Sequence, residues 1–196
     1  MSLSRQVHAQ AKPASVTDAE YIYVSQYLGG GEAHALLGWL LANADWRTER
    51  LKLFGRSIVV PRLVAWYGDP GVSYRYSGID HDAVGWPPSL ASLVRTVRAE
   101  FAPGTNFLLV NRYRCGADSM GWHTDDEPAL AGPVVSISLG AVRRFHLRTA
   151  VDAGTINLDL AHGSLLIHPR DCPHAVPKTR RRVGERINLS FRTISV

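Results

Sequence analysis

Cysteine is almost absent from this chain of 196 residues. Cys115 and Cys172 are its only two, and neither sits in a CxxC pair. That excludes a disulfide framework and a cysteine-closed zinc or redox site, and makes a reducing compartment the expectation. Long apolar runs are missing too: none approaches the roughly 20 residues a membrane helix needs, so a soluble protein without a membrane partner is expected. The opening "MSLSRQVHAQAKPASVTDAE" has no apolar stretch of the secretory kind, and residues 1–17 read as a disordered lead-in. Internal repeats and low-complexity segments are also lacking. Lysine is scarce, with three among the 22 basic residues, so the net charge of +5 is carried by arginine. A basic balance alone points only weakly to a polyanionic partner. Its densest part is "PKTRRRVGER", from Pro177 to Arg186, whose simplest reading is a solvated loop.

At 45% hydrophobic residues, the chain can bury one full core, and residues 18–196 are expected to form a single domain. Two helices are legible. "GEAHALLGWLLANADW" places Ala33, Leu36, Leu37, Leu40 and Leu41 at helical spacing, and "PPSLASLVRTVRAEF" does the same with Leu90, Leu93, Val94, Val97 and Phe101. Pro88 and Ser89 suit the start of the second, and Pro103-Gly104 its end. After Asn106 the chain reads as short strands: "NFLLVNRY", "PVVSISLG", "RRFHLRT", "TINLDL", "GSLLIH" and "RINLSFRTI". "RLKLFGRSIVVPR" reads as a hairpin with Phe54-Gly55 at its tip and Ser57 to Val60 returning. The expected fold class is α+β, two helices on an antiparallel double sheet of jelly-roll type.

One stretch stands against the basic background. "NRYRCGADSMGWHTDDEPAL" holds His123 and Asp125, then Asp126 and Glu127. In an extended segment, residues i and i+2 project from one face, so His123 and Asp125 could share an ion. A second histidine follows in "HPRDCPHAVPK": His174 is the stronger choice for a third ligand, and His168 competes with it. Two histidines and one carboxylate leave coordination positions open, which suits ferrous iron that must also bind a cosubstrate and dioxygen. A dicarboxylate such as 2-oxoglutarate would need arginine as well. Arg186 and Arg192 lie six residues apart in the last strand and share a face with Asn188 and Ser190, while Ile187, Leu189 and Phe191 take the other. Arginines aimed inward are costly unless an anion meets them. Asn111 and Tyr113 share a face just upstream of His123.

The ordered blocks "NRY", "HTDDEP", "VVSISLG", "HGSLLI", "HAVP" and "RINLSFR" resemble the AlkB family of iron(II)- and 2-oxoglutarate-dependent nucleic-acid dealkylases, over roughly Leu53 to Thr193. The resemblance implies a double-stranded β-helix, with a nucleotide-recognition lid over about 48–80 and a catalytic jelly roll over about 105–196. It implies His123, Asp125 and His174 as iron ligands, and Asn111, Tyr113, Arg186 and Arg192 as 2-oxoglutarate contacts. "LFGRSIVVPR" and "YGDPGVSYRYSG" are similar to the probing hairpin and base-binding lid of the branch that repairs duplex DNA. That likeness puts Phe54 and Gly55 at the wedge, Tyr74, Tyr76 and Glu127 at the base, and Arg62, Lys178, Arg180, Arg181 and Arg182 on the DNA backbone. Pro173 departs from the family, which often has an aromatic before the third ligand.

The implied activity is oxidative demethylation of bases such as 1-methyladenine and 3-methylcytosine, consuming Fe(II)-bound 2-oxoglutarate and O2. The expected partner is alkylated DNA, duplex or single-stranded, acted on by a monomer in a bacterial cytoplasm or a nucleus. The alternatives are the same chemistry on single-stranded DNA or RNA, a non-enzymatic nucleic-acid-binding domain, or a small-molecule dioxygenase.

Overall fold

The computed structural model describes residues 21–53, 56–76, 78–149 and 154–195. The expected lead-in of residues 1–17 lies outside them, as do Phe54, Gly55 and the side chain of Tyr76. A seven-stranded sheet runs in the order β1 (Ile22–Val24), β11 (Ser164–His168), β8 (Leu130–Gly140), β13 (Arg186–Ile194), β6 (Phe107–Tyr113), β3 (Arg56–Gly68), β2 (Arg47–Leu53). Facing it is a four-stranded sheet of β10 (Ile156–Leu160), β9 (Arg143–Leu147), β12 (His174–Val176) and β7 (Met120–His123). A separate hairpin pairs β4 (Ser73–Tyr76) with β5 (Ile79–Asp82).

Strand alternation decides where the core sits. On β13, Ile187, Leu189 and Phe191 point away from the smaller sheet and join Leu108, Val110, Ile137 and Leu165 in the main apolar cluster. Helix α1 (Gly30–Asn43) caps that cluster with Ala33 and Leu40, and α2 (Pro88–Glu100) with Leu90, Leu93, Val94 and Val97. Each of the larger side chains among them (Leu, Val, Ile, Phe) stabilises by about 1.5–3 kcal/mol when fully buried. The opposite face of the same strands is polar: Asn111, Ser136, Ser138, Asn188 and Ser190 are buried there with Arg186 and Arg192. Two layers of sheet therefore enclose a polar interior, walled at one end by Phe145, Leu147, Leu166 and Val176.

The six strands expected after Asn106 are all present. Five short ones, β1, β4, β5, β7 and β12, were not expected, because a three- or four-residue strand leaves too few alternations to read. The return arm of the hairpin runs to Gly68 instead of ending at Val60, since Leu63 to Gly68 pairs with β6. Helix α1 stops at Asn43, short of Trp46, where the chain turns into β2. Among the described residues no helix is long and apolar enough to cross a membrane.

Candidate metal centre and substrate cleft

His123 ends β7 and His174 begins β12, and the two are directly paired across the strands. Their rings lie 4.1 Å apart, centroid to centroid. Asp125 follows in the turn after β7, its backbone N–H donating to Arg170 O at 2.8 Å. The ligand atoms of His123, Asp125 and His174 all lie within 4.8 Å of one another. Each imidazole is oriented from behind: Nδ1 of His123 meets Gly121 O at 2.9 Å and Nδ1 of His174 meets Cys172 O at 2.9 Å. A carbonyl can only accept, so the proton sits on Nδ1 and the Nε2 lone pair of each ring faces inward. Asp125 Oδ2 accepts from Arg192 Nη2 at 2.8 Å, while buried Oδ1 has no hydrogen-bond partner. Two inward lone pairs and one orphaned carboxylate oxygen fit a divalent cation.

The electrostatics agree with that use. Burial, and then neighbouring His174, pull the His123 imidazole down to about 4. Burial likewise lowers His174. For Asp125 burial alone would raise the carboxyl, but Arg192 and the surrounding imidazoles more than offset it and hold the group below the usual carboxylate range. The set is therefore deprotonated near neutral pH, as metal binding requires. His168 lines the same cleft, with its ring 4.8 Å from His174. It falls outside the three-residue group whose ligand atoms could share an ion, to which His174 belongs.

Behind the metal-ligating atoms lies a cleft of about 470 Å³, counted to its open mouth. Asn111, Tyr113, Arg186 and Arg192 all line it. Arg186 is 1% exposed. Its Nη2 donates to Ser138 Oγ and to Asn188 Oδ1, both at 2.8 Å, and its Nε and Nη1 have no hydrogen-bond partner. Burial lowers this guanidinium to about 10, still charged at neutral pH. A buried cation with two unused N–H groups is a receptor for a carboxylate.

At the mouth, the fully buried Tyr74 donates to Glu127 Oε2 at 2.9 Å and accepts from Arg192 Nη1. Burial is the largest influence raising the Tyr74 hydroxyl, with Asp125 and Glu127 adding to it. Lid, acid and metal ligand are thus one hydrogen-bonded chain: Glu127, Tyr74, Arg192, Asp125. Tyr76 sits opposite Ile79 in the lid hairpin, and Asp126 is exposed.

Arg62 departs from its expected position on the DNA-facing surface. It is 3% exposed and turns into the cleft, where Nε donates to Asn111 Oδ1 at 2.6 Å. Alternation along β3 puts Arg62 on the buried face with Val60 and Val64; beside it lies a register step, where Thr48 pairs Leu63 but Arg50 pairs Val59, so Val60, Pro61 and Arg62 oppose Glu49 alone. Lys178, Arg180, Arg181 and Arg182 are exposed on the loop after β12. That loop lies so close to Gly116 that a Cβ there would sit 2.5 Å from Thr179 O.

Sequence reasoning missed Arg143. It is buried and donates to the carbonyls of Cys115, Asp118 and Pro177, fastening the 115–118 turn to the basic loop. The signal was there, since Arg143 alternates with Phe145 and Leu147 on the inward face of β9.

A double-stranded β-helix with this donor set and a guanidinium-lined cleft defines a class, the iron(II) oxygenases that use a 2-oxo acid. The chain belongs to the 2OG-Fe(II) oxygenase superfamily, whose sequence pattern matches residues 20–192, and within it to the AlkB family. Its cofactor and cosubstrates are accordingly Fe(II), 2-oxoglutarate and O2. It is 38% identical over 183 residues to human DNA oxidative demethylase ALKBH2, covering 85% of this chain and 70% of that protein. To human alpha-ketoglutarate-dependent dioxygenase alkB homolog 3 it is 39% identical over 181 residues, covering 83% of this chain and 62% of that one. A 2OG-Fe(II) family oxidoreductase from Burkholderia pseudomallei shares the fold with a TM-score of 0.60 at 15% identity, over 96% of this chain and 95% of that one.

Proposed function

We propose that this chain repairs DNA by oxidative demethylation, removing methyl groups from 1-methyladenine and 3-methylcytosine in duplex DNA and releasing formaldehyde, succinate and CO2. The observation that carries this reading is the Glu127–Tyr74–Arg192–Asp125 chain, which supports Glu127 as an acceptor for a base amino group by joining it to the candidate metal group.

His123, Asp125 and His174 would hold the iron, which supplies the oxidising power for the methyl C–H bond once 2-oxoglutarate and O2 are bound. Arg186 takes the distal carboxylate of 2-oxoglutarate with its two unpaired N–H groups, and Tyr113 and Asn111 line the same pocket. Arg192 holds Asp125 in place and lies within reach of the other carboxylate end. Glu127 accepts from the exocyclic amine of the extruded base and favours the positive charge that methylation confers. Tyr74 fixes Glu127, Tyr76 and the His123 ring flank the base, and Phe54 with Gly55 fills the gap left in the stack. Lys178, Arg180, Arg181 and Arg182 neutralise backbone phosphates. Arg62 acts from inside the cleft by fixing Asn111. The protein acts as a monomer, in a bacterial cytoplasm or a nucleus.

The test is formaldehyde release from methylated duplex DNA, single-stranded DNA and RNA at one fixed salt concentration, by the native chain and by Phe54→Ala. Native activity on duplex DNA that drops roughly tenfold or more in Phe54→Ala, with single-strand activity little changed, supports the reading. Equal loss on both substrates removes the duplex assignment, and no formaldehyde from any of the three removes the demethylase assignment.

A further inference from the structure

The lid that carries Tyr74 is tied to the base of the hairpin by a buried histidine–carboxyl hydrogen bond outside the site described above. His81 on β5 lies directly opposite Tyr74 on β4. Its Nε2 is 2.5 Å from Glu49 Oε1 on β2, and its Nδ1 is 3.1 Å from Tyr74 O. The side chains are 1% and 7% exposed. Both ring nitrogens are thus engaged, one by the Tyr74 carbonyl and the other by the Glu49 carboxyl. Rotating the ring would break both bonds in a site closed to water. Trp66 of β3 closes it, with its ring edge-on to His81 at 4.6 Å and its Nε1 donating to Asp82 O at 2.9 Å.

Glu49 stands at a particular place. It faces the register step beside Arg62, whose side chain enters the cleft. Beyond that step the arm leaves the fold, with Ser57, Ile58 and Val59 exposed. On the other side, Tyr74 passes the connection on to Glu127 and Arg192. A continuous path therefore runs from the hairpin base through Glu49, His81 and Tyr74 to the metal-ligating Asp125.

We infer that Glu49 and His81 are positioning residues that couple the hairpin to the base pocket, so that a hairpin seated on DNA holds Tyr74 and Glu127 at their working height over the metal. This deepens the demethylase reading and rests on it. Neither residue touches iron, 2-oxoglutarate or the base.

The test is the double variant Glu49→Leu/His81→Leu, which replaces the pair by apolar groups and is expected to keep the native Tm or exceed it. The iron(II)–2-oxoglutarate absorbance and the KM for 2-oxoglutarate should be unchanged. Amide exchange across residues 73–82 should quicken roughly tenfold, and the KM for methylated duplex should rise by about as much. Formaldehyde released per succinate should fall. Native exchange in the lid overturns the inference, and so does faster exchange with an unchanged DNA KM and product ratio. Glu49→Gln keeps one hydrogen bond and serves as the second variant, with the same readouts and smaller effects. Should the native chain release no formaldehyde from any methylated oligonucleotide, the demethylase reading fails by itself, and lid exchange still decides whether the pair fastens β4–β5.

Discussion

Arg186 is the residue whose surroundings are least balanced in the absence of a ligand. It is fully buried, and two of its nitrogens have no partner, an arrangement that costs stability until an anion arrives. Arg186→Met should therefore have opposite effects on binding and stability. The KM for 2-oxoglutarate, read from succinate release, should rise roughly a hundredfold through loss of two charge-assisted hydrogen bonds. The Tm of the ligand-free protein should not fall, because an uncompensated buried charge has been removed; a clear drop would mean Arg186 is stabilising as it stands. The metal-ligating residues behave differently. Asp125 is paired to Arg192 with both side chains buried, so Asp125→Ala should lose turnover and also about 3 kcal/mol of stability. His123→Ala removes a half-buried ring with no ion-pair role beyond a 4.0 Å approach to Asp125, and should lose turnover with near-native unfolding. Formaldehyde release and urea titration of the two variants check this, and equal stabilities would contradict it.

At the scale of elements, what could be read from the chain depended on how regular each element is. The last strand was legible to the residue, because four polar and three apolar positions alternate without interruption from Arg186 to Arg192. His123 and Asp125 were legible because i, i+2 spacing needs only an extended backbone. His174 was preferred to His168 in the sequence, but the pairing that sets it beside His123 joins β12 to β7, two strands too short to announce themselves. Arg62 was misplaced because the run "IVVP" before it is apolar throughout and hides the alternation that puts Val60, Arg62 and Val64 on one buried face. The Glu49–His81 pair joins elements 32 residues apart, and no local pattern marks it. Exposed loops need no such register. The run Lys178, Arg180, Arg181, Arg182 is exposed, as its charge predicts, and its proposed contact with the DNA backbone can be tested directly. Replacing all four by alanine should weaken DNA binding evenly across sequences. It should also flatten the plot of log affinity against log salt by roughly 0.9 for each phosphate no longer neutralised. An unchanged slope in a fluorescence-anisotropy titration would mean the loop does not meet the backbone.

The molecule as a whole keeps a polar cleft between two sheets, and this makes its ligand-free form sensitive to acid. His168 is buried in that cleft beside His174, and burial, then His174, lower its imidazole to about 3; His123 stands at about 4. In the unfolded chain both return to the ordinary value near 6.5. Above that value neither form binds the proton and the stability is whole. As pH falls below it, the unfolded chain takes up protons that the folded one refuses, so stability is lost continuously from about pH 6.5 towards the folded values, by roughly 1.4 kcal/mol per pH unit for each histidine. Asp125, held below the carboxylate range, adds its own loss only at still lower pH, so a window from about pH 7 to 4.5 isolates the imidazoles. Urea unfolding of the metal-free protein should show a midpoint that declines steadily across that window. His174, lowered by burial as well, adds to the same decline; His168→Leu removes one of these contributions and should make the decline shallower. Iron(II) with 2-oxoglutarate should oppose it in the native chain by binding the folded form alone. A native midpoint that stays level across the same window, or a decline as steep in His168→Leu as in the native chain, would show that this histidine is not held neutral inside the fold.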